Sequence, residues 1–281
     1  MKTHSGSGTG AWTSCGTVTA LLLALGGLGP APAPAAQTPA TVRVMTWNIA
    51  AGHGNLTSIA QVIRDAAPDV VALQEVDVHW SARSGFEDQA ARLGELTGMA
   101  ARFGPIYQLA GDGGAAGREF GLAILSRRPI AAFTNHVIPR LSTQSAAPEP
   151  QPLPGFLEAV VDVAGTRVHV FNTHLDYRPD PRVRTLQVAA MLERLPGPPA
   201  RAMLLGDLNA PPTAAELAPL FDRLTDAWPH GADPGHTYPA STPDRRIDYI
   251  LTTANLAARD IRVITTGASD HLPVVADLTV R

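Results

Sequence analysis

Short apolar runs that end in polar residues recur along the chain and predict strands separated by helices. Thr41–Ile49 alternates between small β-branched side chains and larger ones, and this period of two predicts a first strand. Asn55–Ala67 has apolar residues at the helical spacing, and Pro68 ends this segment. Asp69–Val76 is a continuous apolar run that ends in Gln74-Glu75 and predicts a second strand. Strand, helix and strand in this order indicate a crossover unit.

The rest of the chain continues this mixture of strands and helices. Further strands are predicted over Phe120–Leu125, Leu157–Val163, Arg167–Asn172, Ala202–Leu205, Arg246–Leu251, Asp260–Thr265 and Pro273–Val280. Further helices are predicted over Glu87–Leu96, from Asp180-Pro181 to Leu195, and after a capping box formed by Thr213 and Glu216. Two segments rich in glycine or proline, Ala110–Gly117 and Pro139–Gly155, are predicted as surface loops. We therefore expect an α/β fold with two packed sheets and outer helices, in one domain over residues 40–281.

The first 36 residues have the features of a secretory signal peptide followed by an Ala/Pro-rich linker. Lys2 gives a positive start, Val18–Leu28 is an apolar core too short to span a bilayer, and Ala33-Pro34-Ala35 offers a cleavage site. A retained membrane anchor is the alternative. With the signal, we expect a secreted protein, extracellular or periplasmic, whose mature chain has no transmembrane segment. Because Cys15 is the only cysteine, the mature chain would also lack disulfides and thiol chemistry.

The composition limits the partners of this chain. Hydrophobic residues make up 45% of the 281 residues and charged residues 17%, which is ample for a core. Lys2 is the only lysine, and its removal with the signal changes the formal net charge from −3 to −4. Without a basic tail or a long basic run, we expect no stable complex with nucleic acid, although a nuclease that binds briefly stays open. We expect a monomer.

Polar residues typical of active sites stand at the ends of six predicted strands or just after them. These residues are Asn48, Glu75, His174, Asp207 with Asn209, Asp248, and Asp270-His271. Each has a plain structural interpretation on its own, as a turn residue, a solvated strand end or a core histidine. If the ends converge, four carboxylates share one cleft, and a hard divalent cation would relieve their repulsion. Oxygen ligands without cysteine favour Mg²⁺ or Mn²⁺, with Ca²⁺ also open.

Six motifs in this order resemble those of the endonuclease/exonuclease/phosphatase superfamily. They are Met45-Thr46-Trp47-Asn48-Ile49, Asp69–Val76, Asn172-Thr173-His174-Leu175-Asp176, Gly206-Asp207-Leu208-Asn209, Arg246-Ile247-Asp248-Tyr249-Ile250 and Ser269-Asp270-His271-Leu272-Pro273. The resemblance implies a DNase-I-like four-layer sandwich, in which two mixed sheets are flanked by helices. The sequence departs from the family pattern at Gly121-Leu122, because the family often has asparagine directly after this glycine.

The resemblance also implies roles for the site residues. The metal shell would be Asn48, Glu75 and Asp270, with Mg²⁺ as the expected ion and Mn²⁺ as the substitute. The catalytic residues would be His174, Asp207, Asn209, Asp248 and His271, with Asp248 and His271 acting as a dyad. Whether Asp207 or the dyad is the general base stays open. Arg184 and Gln187 would hold the loop that carries the histidine.

With these roles and the predicted signal peptide, the resemblance implies a secreted, divalent-metal-dependent hydrolase that attacks a phosphoric ester with an in-line water. The substrate could be a small-molecule, lipid or nucleic-acid phosphate ester, cleaved by a phosphodiesterase or a phosphatase. A secreted nuclease of the same superfamily is the alternative, and a non-catalytic binding protein on this fold is a weaker one. A glycosidase needs only two carboxylates and would leave both histidines and both asparagines unexplained.

Overall fold

The computed structural model describes residues 7–14, 16, 39–111, 116–146, 149–229, 231 and 233–281. Most of the predicted signal peptide, including its apolar core and cleavage site, lies outside these residues, as do parts of the two predicted loops. Within the described part, no helix is long and apolar enough to cross a membrane. Residues 39–281 form one compact unit.

Twelve strands form two six-stranded mixed sheets in the described part of the chain. Their bounds are β1 Ala40–Asn48, β2 Val70–Val78, β3 Ala100–Leu109, β4 Arg118–Ser126, β5 Ile130–Arg140, β6 Gln151–Val163, β7 Thr166–His174, β8 Ala202–Asp207, β9 Thr225–Asp226, β10 Asp248–Thr252, β11 Leu256–Val263 and β12 Val274–Val280. Sheet A has the order β11-β12-β1-β2-β4-β3, and sheet B has the order β5-β6-β7-β8-β10-β9. The parallel pair β1–β2 confirms the predicted crossover unit.

Helices cover the outer faces of both sheets. Their bounds are α1 Leu56–Ala66, α2 Gln89–Thr97, α3 Arg182–Arg194 and α4 Ala218–Arg223. Apolar residues of α1 and α2 pack against sheet A, and those of α3 and α4 pack against sheet B. A third apolar cluster fills the space between the sheets. The four-layer α/β sandwich is therefore confirmed.

The alternation within each central strand divides its side chains between two of these clusters. In β1, Val42 and Val44 face the other sheet, whereas Met45 and Trp47 face the helices. In β8, Met203 and Leu205 face the other sheet, whereas Leu204 packs with the outer helices. Since successive side chains of a strand point to opposite faces, the inward set continues two residues at a time to the strand end.

The sequence-based assignment failed at the edges of the sheets. β3, β5 and β9 lie at sheet edges and were not predicted. The edge strand β11 begins four residues before its predicted range and ends two residues before the end of that range. The predicted loop Pro139–Gly155 is also wrong at both ends, because β5 extends to Arg140 and β6 begins at Gln151. There the prolines lie in a two-stranded extension of β5 and β6, outside the β6–β7 pairing, where a missing N–H is tolerated.

The predicted capping box of Thr213 and Glu216 is wrong. The short helical turn Ala215–Leu217 follows Ala214 and has no side-chain cap. Glu216 instead forms an ion pair at 2.7 Å with Arg184 of α3, and both side chains are almost fully buried. Helix α3 itself begins at Arg182, where the Asp180 carboxylate accepts a hydrogen bond from the Arg182 amide.

Candidate active site

The predicted polar residues come together at one end of the layer between the sheets. Asn48, His174, Asp207 and Asp248 continue the inward-facing sets of β1, β7, β8 and β10, so their side chains follow directly after the apolar core. His174 and Asp248 are the register partners of Asp207 in the two neighbouring strands. The strand ends therefore converge as predicted.

Asp207 is the centre of this cluster and is 1% exposed. One of its carboxylate oxygens, Oδ1, accepts a hydrogen bond from the backbone N–H of Asn209 at 2.8 Å. The other, Oδ2, accepts one from Asn48 Nδ2 at 3.1 Å and lies 3.5 Å from His174 Nε2 and 3.8 Å from His271 Nε2. A single carboxylate oxygen thus faces one amide and two imidazoles.

The backbone around Asp207 explains the glycine before it. Gly206 has φ of +153°, and a Cβ at this position would lie 2.1 Å from the Thr173 carbonyl oxygen of the neighbouring strand. Only glycine permits this close approach of β7 and β8. After Asp207, Asn209 adopts a left-handed conformation and donates its side-chain amide to the Leu175 carbonyl at 3.0 Å. Asn209 therefore joins the strand end of β8 to the segment after His174.

Asp248 and His271 form the predicted contact. His271 Nδ1 lies 3.0 Å from Asp248 Oδ2, and both residues are buried. The same oxygen accepts a hydrogen bond from the Thr237 hydroxyl at 2.6 Å. Trp47 Nε1 donates to the His271 carbonyl at 2.9 Å, which fixes the backbone. The imidazole is thus held with Nδ1 toward Asp248 and with Nε2 toward Asp207.

Burial and neighbouring charges change the pKa values of this cluster. Burial alone would lower the pKa of the His271 imidazole, but the charge and hydrogen bond of Asp248, with smaller effects of Asp207 and Asp270, raise it to about 9. Burial and the charge of Asp248 raise the pKa of Asp207, and the two histidines oppose this rise. The cluster therefore favours a positive charge on His271.

Glu75 reaches the site through an irregularity in β2. The pairing of β2 with β4 shifts register between Leu73 and Val76, and Glu75 has φ of +55° within this bulge. Such bulges re-aim a side chain at the end of a strand. As a result, Gln74 stays between the sheets, where it donates to Asn172 Oδ1 at 2.8 Å, and Glu75 turns toward Asn48.

Asn48 and Asp270 were expected to share a metal with Glu75. Asn48 Nδ2 donates to Glu75 Oε1 at 3.1 Å, while Asn48 Oδ1 accepts from the Ala50 amide at 3.0 Å. An amide rotation of 180° would turn the oxygen toward Glu75. The Ser269 hydroxyl donates to the Asn48 carbonyl at 2.7 Å and brings the following Asp270 to this end of the sheets, where its side chain is exposed.

The donor atoms suit a hard divalent cation. Carboxylate and amide oxygens dominate the cluster, and Mg²⁺, Mn²⁺ and Ca²⁺ prefer such ligands. Asp248 Oδ1 is buried and has no hydrogen-bond partner in the described part of the chain. Among the described carboxylates and histidines, Asp207, Asp248 and His271 each offer one atom within 4.8 Å of the others, and this group does not contain the predicted ligands Glu75 and Asp270.

The segment after His174 is held from α3 in the way the sequence suggests. Gln187 Oε1 accepts a hydrogen bond from the Asp176 amide at 2.9 Å, and Arg184 Nη1 donates to the Asp176 carbonyl at 3.0 Å. Arg140, which the sequence analysis missed, donates to the His174 carbonyl at 2.9 Å. Thr237 was missed as well, because it lies in an irregular segment with no periodic pattern.

The sequence model of the family described as "Endonuclease/Exonuclease/phosphatase family" matches residues 45–271. The chain belongs to this family. The match covers all of the site elements on both sheets, from β1 to His271. A search of curated proteins by sequence gives no match.

Solved structures of the endonuclease/exonuclease/phosphatase family have the same fold. The protein of this family from Beutenbergia cavernae is 29% identical, with a TM-score of 0.70 over 86% of this chain and 72% of its own. Mannosyl-6-phosphatase from Bacteroides thetaiotaomicron is 17% identical, with a TM-score of 0.63 over 85% and 99%. The human Nocturnin catalytic domain is 22% identical, with a TM-score of 0.64 over 86% and 94%.

The endonuclease/exonuclease/phosphatase superfamily consists of hydrolases of phosphoric esters, and its members generally depend on divalent metals. The family thus agrees with the chemistry that the site residues predict.

Proposed function

We propose that this protein is a secreted, divalent-metal-dependent phosphoric-ester hydrolase that acts on small esters. The observation that carries the proposal is the Asp207 carboxylate, which is buried at the convergence of the strand ends and faces Asn48 and two histidines. Secretion rests on the sequence of the first 36 residues alone. Mass spectrometry of the culture medium should find a mature N-terminus near residue 36, whereas an intact Met1 form held in membranes would contradict secretion.

Each of the site residues would have a different role in the hydrolysis of a phosphate ester. Asp207 lies where a water could be oriented for in-line attack, with Asn209 fixing the carboxylate through its backbone amide. The His271 imidazolium supplies positive charge for the phosphate oxygens that become more negative in the transition state, and the His174 imidazole can donate a hydrogen bond to them. Asp248 keeps His271 in place and stabilises its charge.

Glu75, Asp270 and Asn48 would hold the divalent cation, Mg²⁺ or Mn²⁺. When bound, the cation supplies positive charge at the phosphate and lowers the pKa of bound water. The buried Asp248 Oδ1, which has no hydrogen-bond partner among the described residues, also agrees with a site that accommodates added positive charge.

A nuclease is the second candidate, because the description of the family that matches this chain includes endonucleases and exonucleases. Against it stands the charge of the chain, which has a single lysine at position 2 and a formal net charge of −3. Long nucleic acids are bound mainly through phosphate contacts to lysine and arginine. The named activity of mannosyl-6-phosphatase agrees better with the small-ester proposal.

Metal dependence tests the proposal directly. We expect excess chelator to abolish hydrolysis of a chromogenic phosphate ester, and Mg²⁺ or Mn²⁺ to restore it. Glu75→Gln keeps the shape of the side chain but removes its charge, so it should reduce kcat at least about 100-fold and weaken metal binding. Glu193→Gln, which makes the same change at an exposed position of α3, serves as the control. Full activity in chelator with no metal retained would contradict the proposal.

A further inference from the structure

A cavity of about 230 Å³ lies beside the site and shares two residues with it. Glu75 and His174 both line the cavity, so a phosphate held between them would leave its esterified group pointing into this space. The volume is below the usual range of about 300–1,000 Å³ for ligand pockets, which limits the occupant to one compact group. The cavity is therefore the place for the alcohol part of the ester.

One wall of the cavity is aromatic and rigidly held. The rings of Trp80 and Phe120 are 5.8 Å apart between centroids, and those of Tyr107 and Phe120 are 6.2 Å apart. The Arg83 guanidinium lies 5.6 Å from the Phe120 centroid and 6.0 Å from that of Trp80. Two hydrogen bonds of 2.7 and 2.9 Å tie Arg83 to the fully buried Asp77. This wall is thus ordered before any ligand binds.

A second part of the lining is polar and carries a cation. It contains Arg140, Thr143 and Gln144, and the exposed ring of Tyr177 also lines the cavity. Burial lowers the pKa of Arg140 to about 10, so the guanidinium is still charged at neutral pH. The Thr143 amide donates to the Tyr107 hydroxyl at 3.1 Å and joins the two walls.

We infer that this cavity selects the substrate, and that its occupant is a compact ring with several hydroxyl groups, such as a sugar or a cyclitol. The carbon face of such a ring packs against the aromatic wall, and its hydroxyls bond to the arginines and Gln144. The planes of Trp80 and Phe120 are inclined by 51°, which suits a puckered ring better than a flat nucleobase. Trp80 is then a specificity-determining residue. This inference rests on the proposed function.

The test compares two alcohols in the same reaction. The values of kcat/KM are measured for a hexose 6-phosphate and for glycerol 3-phosphate, each as the monoester and as its methyl diester. Both are esters of primary alcohols with free hydroxyls, and only the first has a ring. We expect the ring to be preferred by about tenfold or more, in line with the discrimination that one well-fitted contact provides.

Variants then locate the source of this preference. Trp80→Ala should lower the ratio of ring to linear kcat/KM by about tenfold, and Tyr177→Ala, at the exposed side, by about threefold. Phe221→Ala is the matched control, because this half-buried ring lines a separate cleft, and it should leave the ratio unchanged. Thermal unfolding of each variant checks that the fold is kept. If Trp80→Ala lowers both kcat/KM values equally, Trp80 has only a structural role.

Two further outcomes decide the inference. A wild-type ratio near one, or a nucleoside 5′-monophosphate preferred over the hexose ester, would overturn it. Binding of the free hexose, followed by tryptophan fluorescence and lost in Trp80→Ala, separates the inference from the proposed function. If no ester is hydrolysed but this binding is found, the cavity is supported and the hydrolase proposal fails. If esters are hydrolysed but the free hexose does not bind, the cavity assignment fails alone.

Discussion

The two ends of the layer between the sheets have the same backbone pattern and opposite chemistry. At one end, Val42 and Val44 of β1 pack against residues such as Met203 and Leu205 of β8. At the other end, the last inward positions of these strands hold Asn48 and Asp207. The same strands therefore form the core at one end and the site at the other, and only the residue type at the inward positions differs.

The polar end also needs an ordered border, which the apolar end does not. Burying a polar group without a hydrogen bond costs roughly 1–3 kcal/mol. At the border, Asn172 donates to the carbonyls of Leu73 and Ala123 in the opposite sheet and accepts a hydrogen bond from Gln74. These contacts pin the two sheets to each other just before the site residues begin. The buried charged residues at the polar end thus depend on the packing of the apolar end, which stabilises the two sheets.

The largest effect is expected from breaking the pair at the polar end. Asp248→Asn should slow turnover by roughly three orders of magnitude, because the imidazole loses its negatively charged partner. His271→Ala should cost at least as much, and the double variant should be little slower than His271→Ala, since residues acting as a unit are not additive. A double-mutant cycle on kcat with one substrate measures this.

If the two losses simply multiply, Asp248 and His271 do not act together. Arg246 offers no alternative partner for Asp248 in the structure, because it forms an ion pair at 2.8 Å with Asp226. Circular dichroism and thermal unfolding of both single variants show whether a loss of activity reflects a loss of fold.

A smaller effect is expected when pH removes the charge of His271. Its pKa is raised from the ordinary value of 6.5 to about 9 in the folded protein. The imidazolium therefore stabilises the fold fully below pH 6.5, and this contribution is lost as the pH rises through 9. In excess chelator, the Tm difference between the wild type and His271→Gln should shrink over this interval. A difference that is constant from pH 6 to 10 would contradict the charged pair.

The sequence predicted the central strands because they are buried on both faces. β1, β2, β7 and β8 are apolar runs that end in polar residues, and this pattern indicates both the strand and the site. The edge strands β3 and β5 have many exposed or half-buried positions and carry no such pattern. β3 and β5 belong to the sheets because they pair with β4 and β6, respectively. This pairing cannot be predicted from the sequence of β3 or β5 alone.

The positions of the site residues along the chain were predictable from the strand ends, but the directions of some of their side chains were not. Asp207 and His174 follow from the alternation of their strands. Glu75 turns toward Asn48 only because β2 has a bulge, and Thr237 reaches Asp248 across an irregular segment. Both depend on tertiary contacts without a local signal. The roles of these residues in metal binding and catalysis stay predictions.

The most direct test of the account compares one substitution at each end of the layer. Asp207→Asn at the polar end should reduce kcat at least about 1,000-fold, because it removes the central charge, and should change the free energy of unfolding little. Leu205→Ala, two residues earlier, should cost about 2–5 kcal/mol of stability and leave kcat per folded molecule nearly unchanged. The measurement is kcat together with the free energy of unfolding for both variants. An Asp207→Asn variant that keeps wild-type kcat would contradict the account.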